Sequence, residues 1–126
     1  MNVVDSSGWL EYFAAGPNAD FFATAVEAVE ELIVPAVSLY EVFKRVSQQR
    51  GEGDALQAVA LMQQGLVAEL SSPIALEAAR ISAQLGLPMA DSIILVTART
   101  HQATLWTQDF DFQGVEGVRY VPQRSL

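Results

Sequence analysis

Four carboxylates far apart in the chain, Asp5, Glu41, Asp91 and Asp109, stand where an α/β chain would gather them. Asp5 directly follows the apolar run Asn2-Val3-Val4, and Asp109 follows the run Ala103 to Thr107 with one residue between. If both runs are parallel strands, both acids lie at the carboxyl edge of the sheet, where such sheets bind ligands. Glu41 and Asp91 read as first-turn residues of helices whose N-termini face the same edge. Carboxylates crowded together repel, and either take up protons or bind a cation. An oxygen-only site of carboxylate and water suits Mg²⁺ or Mn²⁺. Two such ions can activate a water and stabilise the leaving oxygen in phosphodiester cleavage. Ser6 and Thr107 add hydroxyls that could orient carboxylates or metal-bound water. Asp111 offers a further carboxylate, for a second metal or for the rim, with Asp109 assigned to the main site.

Each acid also has a purely structural account. Asp5 suits a helix N-cap, and Ser38 to Glu41 fits the Ser-x-x-Glu capping box. Asp91 complements a helix dipole, and Asp109 with Asp111 suits a turn. Asp91 weighs most against these accounts. It opens a helix, Met89 to about His101, that is apolar nearly all round and therefore belongs in the interior. A buried charge is costly without a partner. No Lys or Arg lies between Ile81 and Ala98, so only Arg80 or Arg99, brought close by the fold, could neutralise it.

The elements that must position these acids follow from the apolar pattern. Strands are expected at Asn2 to Val4, Leu32 to Val34, Leu66 to Leu70, Ala103 to Thr107 and Val118 to Val121. Helices are expected between them. The first carries Trp9, Leu10, Tyr12 and Phe13, the second Phe22, Ala25, Val26 and Val29, and the third Leu39, Val42, Phe43 and Val46. A fourth runs from Asp54 to about Gln64, and a fifth, opened by Ser72-Pro73, places Ile74, Ala78, Ile81 and Leu85 on one side. Gly16-Pro17, Gly51, Gly53 and Gly86-Leu87-Pro88 interrupt the helices. Short apolar strands separated by helices give an α/β domain with a largely parallel sheet.

Length and composition bound the rest. The 126 residues suffice for one domain, 1–126, and 51% of them are hydrophobic, which excludes a disordered chain. No apolar stretch is long enough to span a membrane. Asp5 comes too early for a secretory leader and no cysteine is present, so a cytoplasmic location is the expectation. The single histidine, His101, excludes multi-histidine metal sites; it suits the end of a helix, near the negative pole. Neither a Gly-x-Ser-x-Gly elbow nor a P-loop is present. A phosphoryl-accepting receiver domain would need a lysine late in the chain, and none follows Lys44. The formal charge of -8 is unlike that of a general nucleic-acid binder, whose affinity comes from neutralising phosphate. It leaves metal binding and attraction of a basic protein partner as tasks for the acids. Lys44 and Arg45, on the polar face of the Glu41 helix, either meet substrate phosphates near the metal or form a solvated face.

At this point the residues resemble a known family. Val3-Val4-Asp5-Ser6-Ser7 resembles the opening hydrophobic-hydrophobic-Asp-[Ser/Thr]-Ser of PIN domains, and Val37-Ser38-Leu39-Tyr40-Glu41-Val42 their second motif, in which a Glu begins a helix. Gly86-Leu87-Pro88-Met89-Ala90-Asp91 resembles the third, and Leu105-Trp106-Thr107-Gln108-Asp109 the fourth, a strand followed by Thr-x-[Asp/Asn]. The four stand in order across nearly the whole chain. The resemblance implies a PIN-like three-layer sandwich, a central, largely parallel sheet of four or five strands flanked by helices. It further implies a Mg²⁺- or Mn²⁺-dependent endoribonuclease, a homodimer, and, as in VapC-type toxins, inhibition by a VapB-type antitoxin. Two alternatives stay open: an RNA-processing PIN nuclease outside a toxin pair, and a catalytically silent PIN-like binding module.

Overall fold

The computed structural model describes residues 1–125. Five short strands, β1 (Asn2–Val4), β2 (Leu32–Pro35), β3 (Leu66–Ala68), β4 (Thr104–Thr107) and β5 (Val118–Tyr120), form one sheet. Their order is β3-β2-β1-β4-β5, and every neighbouring pair is parallel. Parallel strands covered on both faces need apolar residues on both sides, so they read as continuous apolar runs. Successive side chains still part to opposite faces. Val3, Ile33 and Leu105 enter one core, while Val4, Leu32, Val34 and Trp106 enter the other.

Six helices cover these faces. On the Val3 side lie α5 (Ser72–Leu85), through Ile74, Ala78 and Ile81, and α6 (Met89–Thr100), through Ile93 to Val96 and Ala98. On the Val4 side lie α1 (Ser6–Phe13), α2 (Ala19–Val26), α3 (Ala36–Arg50) and α4 (Glu52–Met62), carrying Trp9, Phe22, Val42, Val46, Ala55 and Met62. The result is the expected three-layer α/β sandwich, with the sheet wholly rather than largely parallel. No single helix among the described residues is long and apolar enough to cross a membrane.

Local signals set the boundaries. Ser71 caps α5 by accepting a hydrogen bond from the Ile74 amide at 3.3 Å, with Pro73 in the first turn; Gly86, at φ 69°, ends the helix in the left-handed conformation. His101 stops α6, its ring Nδ1 3.0 Å from the Thr97 carbonyl. Two expectations need correction. Val29 lies in a short 3₁₀ turn, Val29–Glu31, beyond the end of α2. Helix α3 begins at Ala36, directly after Pro35 closes β2, so Glu41 stands in its second turn and not its first. Pro35 occupies the cap position without a side-chain hydrogen bond, and the Ser38 hydroxyl is buried with no partner among the described residues. The Ser-x-x-Glu pattern is therefore not a capping box here.

Candidate metal centre

The parallel sheet brings the ends of β1 and β4 side by side: Val4 pairs with Trp106, and the Asp5 amide donates to the Trp106 carbonyl at 3.1 Å. Asp5 is the N-cap of α1 and only 2% exposed. One of its oxygens accepts from the Gly8 amide at 2.9 Å and from the Ser7 hydroxyl at 2.8 Å. The other accepts from the Thr107 hydroxyl at 2.6 Å. Burial pushes Asp5 up to about 6, although the bonds from Thr107, Gly8 and Ser7 oppose this.

Thr107 links two strands of the site. While it donates to Asp5, its oxygen accepts the Asp109 amide at 2.9 Å, which fixes how the chain leaves β4. The next three residues, Phe110–Phe112, form a 3₁₀ turn whose cap is Asp109, its Oδ1 accepting the Asp111 amide at 2.9 Å. Phe112 is wholly buried and anchors the turn, while Phe110 points outward. Asp109 and Asp111 thereby reach the same place. Asp91, in the first turn of α6, meets them there: one oxygen from each of Asp91, Asp109 and Asp111 lies within 4.8 Å of the others.

Glu41 arrives from α3 and accepts the Ser6 hydroxyl at 2.6 Å. Asp5 and Glu41 stand outside the trio, each gripped by a hydroxyl, but close enough to act on it. Asp91 is pushed up to about 7, first by partial burial and then by the charges of Asp109, Asp5, Glu41 and Asp111. No cation relieves this crowding among the described residues. Arg80 pairs with Glu77 at 2.9 Å, and Arg99 donates to the Glu116 carbonyl at 3.2 Å, so neither neutralises Asp91.

This donor set fits Mg²⁺ or Mn²⁺. It consists of carboxylate oxygens with uncompensated charge, one from each of three residues gathered within 4.8 Å, and such hard oxygen donors are what these ions take. All seven of these residues are expected near the edge from the sequence, which leaves open which carboxylate Ser6 orients and whether Asp111 lies at the rim. In the structure Ser6 binds Glu41, Asp111 lies with Asp91 and Asp109, and Ser7, not singled out from the sequence, binds Asp5. Also missed was a buried strut behind Asp109. The Asn18 side-chain amide donates to the Gln108 side chain at 2.9 Å and to the Pro122 carbonyl at 3.0 Å, and Arg124 donates to the Asn18 oxygen at 2.9 Å. Only the burial of two amide side chains 90 residues apart reveals it.

A family profile described as the PIN domain matches residues 3–118. Solved structures of like fold include a toxin–antitoxin complex from Klebsiella pneumoniae, at 22% identity and TM-score 0.78, covering 94% of this chain and 96% of that one. The sarcin-ricin loop cleaving toxin VapC20 of Mycobacterium tuberculosis aligns at 15% identity and TM-score 0.76, covering 92% and 95%. VapBC from Salmonella typhimurium, bound to DNA, aligns at 13% identity and TM-score 0.74, covering 97% of each chain. No curated protein matches significantly in sequence.

Proposed function

Because this chain belongs to the PIN-domain family, we propose that its acidic edge is the centre of a divalent-metal-dependent endoribonuclease, the toxin of a VapC-type pair. The observation that carries the reading is the Asp91–Asp109–Asp111 trio, three carboxylates converging within 4.8 Å with no cation to offset them. Asp91, Asp109 and Asp111 hold Mg²⁺ or Mn²⁺ directly, and Asp5 and Glu41 complete the anionic wall. When bound, the metal supplies Lewis acidity at a phosphate oxygen and an acidified water for hydrolysis.

The chain's own residues supply position. Thr107 holds Asp5 and the Asp109 amide in one register, so the trio cannot drift from the sheet. Ser6 fixes Glu41, and the buried body of α6 fixes Asp91. A phosphate placed against the trio itself is repelled until metal is present, which makes cleavage conditional on the ion.

The toxin assignment is supported by neighbours of like fold that are toxin–antitoxin complexes. A VapB-type partner would need a basic segment to approach a surface of net charge -8, and an Arg to engage carboxylates with paired hydrogen bonds. Leu10, Phe13, Val46 and Leu61, bordered by Gln49, Arg50, Asp54 and Gln57, line a cavity of about 250 Å³ between α1, α3 and α4 that would take the partner's flanking side chains. Phe13 presents its ring to this cavity, whereas Trp9, stacked against it on α1, is wholly buried.

The test is cleavage of a looped RNA by the purified chain with and without Mn²⁺. Wild type should cut only with metal and Asp91→Asn should not cut, while both keep the same circular dichroism and melt cooperatively. Metal-independent cleavage, or full activity in Asp91→Asn, would overturn the assignment. Titration with the co-encoded partner should suppress cleavage, and Ala at each partner Arg should restore it if the acids are its target.

A further inference from the structure

The protein is acidic, yet among the described residues most of the positive charge that has no ion-pair or hydrogen-bond partner lies on one helix. Of its seven bases, Arg80 pairs with Glu77, Arg99 is tied to the Glu116 carbonyl, and Arg124 to Asn18 and Pro17. Arg119 lies over the Trp106 ring, 4.6 Å from its centre. The three that remain, Lys44, Arg45 and Arg50, all belong to α3. Lys44 and Arg45 follow Glu41 by three and four residues, so they sit one helical turn along from it, on the same side.

They line a cleft of about 390 Å³ with Ser6, Tyr40, Glu41 and Gln48. That volume is within the range of small-ligand sites, about 300–1,000 Å³. Tyr40 is 56% exposed, an unusual placing for an aromatic ring, and Lys44 Nζ stands 5.7 Å from its centre. Ser6 and Glu41 form the wall shared with the acidic edge, through their 2.6 Å hydrogen bond. Cations, an open aromatic face and an amide side chain therefore adjoin the acids directly.

We propose that this cleft holds the single-stranded RNA flank beside the scissile bond, with Lys44 and Arg45 on phosphates and one unpaired base stacked on Tyr40. The inference rests on the nuclease reading above and assigns its substrate a path. It also accounts for how so acidic a protein grips a polyanion: attraction comes from two cations on one side of the acidic field. A stacking aromatic tolerates any base and requires it to be unpaired, so the cleft selects unpaired strands over duplex.

The experiment is fluorescence anisotropy of a fluorescein-labelled, mixed-sequence 12-nucleotide RNA in EDTA, where binding is read without cleavage. K44Q/R45Q should weaken binding at least about tenfold at low salt and flatten log Kd against log salt by about 1.4, two single-strand phosphate contacts at about 0.7 each. Tyr40→Ala should weaken it about tenfold with the salt slope kept, and Tyr40→Phe should restore it. R80Q/R99Q removes the same two charges elsewhere and should change binding little. Melting curves establish that each variant is folded. No binding by wild type, equal loss in R80Q/R99Q, or wild-type affinity in K44Q/R45Q overturns the proposal. So does a K44Q/R45Q protein that binds RNA normally but no longer captures the co-encoded partner, which would make the cleft a protein-docking surface. Binding through the cleft by a protein that cuts no RNA with any metal would instead sink the nuclease reading and leave the cleft.

Discussion

Thr107 shows how much can hang on a single hydroxyl. Its oxygen serves a buried carboxylate and a backbone amide at once, and the residue itself is fully buried. Thr107→Val keeps shape and removes both bonds, so it leaves Asp5 short of a donor and the Asp109 amide unsatisfied. Each orphaned buried group costs about 1–3 kcal/mol, and the loss should appear in urea unfolding of the metal-free protein. Thr107→Ser keeps the hydroxyl and should recover most of it. Metal affinity should also fall, by about 10- to 100-fold, since residues that orient metal ligands act on this scale. A Val variant as stable as wild type would mean that Asp5 is held by Ser7 and Gly8 alone. The sequence marks Thr107 as a hydroxyl that could orient a carboxylate or a metal-bound water; the 2.6 Å distance to Asp5 shows that it holds a carboxylate.

At the scale of elements, Gly8 determines how close α1 lies to β1. A Cβ there would sit 2.6 Å from Phe22 and 2.7 Å from Val4, both wholly buried. Gly8→Ala should therefore push the helix off the sheet and cost about 1–3 kcal/mol. Gly53, in the first turn of α4, has open space around it, and Gly53→Ala should stabilise by about 0.4–1 kcal/mol. Thermal melts of the two variants should move in opposite directions; a shift of the same sign in both would refute the steric account of Gly8. The same contrast explains what the sequence could disclose. The inner strands β1, β2 and β4 were legible because burial writes them as short apolar runs, and the partly buried edge strands β3 and β5 because each still carries apolar residues; all ends lie within a residue or two of those expected. The start of α3 was not legible, because a buried Ser38 and a hydroxyl-bound Glu41 imitate a capping box in one dimension. Asp111 was legible as an acid but not as a partner of Asp109 and Asp91, since that depends on a 3₁₀ turn pinned by buried Phe112.

For the molecule as a whole, the acidic edge makes stability depend on pH, and under the proposed function it ties that dependence to metal. Asp5 at about 6 and Asp91 at about 7 both lie above their ordinary 3.8, so the folded chain holds more protons than the unfolded one. These two groups therefore favour folding below about pH 4, and that support is lost as pH rises from about 4 to 7. Divalent metal reverses the deficit only where the carboxylates are ionised. At pH 8, free Mn²⁺ at about 100 times its dissociation constant should add roughly 2.7 kcal/mol. At pH 5 protons compete, and the gain should shrink. Calorimetric scans with Mn²⁺ and with EDTA at both values test this; an equal gain at the two pH values would place the metal elsewhere. The pairing of β1 with β4 has a further consequence, one of timing. Asp5 and Thr107 are 102 residues apart, and a chain on the ribosome emerges from its N-terminus at about 5–20 residues per second. Asp5 thus waits roughly 5–20 seconds for the hydroxyl that holds it, and a nascent chain carries no assembled centre until β4 has cleared the exit tunnel. An RNA-cutting centre of the kind proposed is in this way absent for as long as Thr107 remains inside the tunnel.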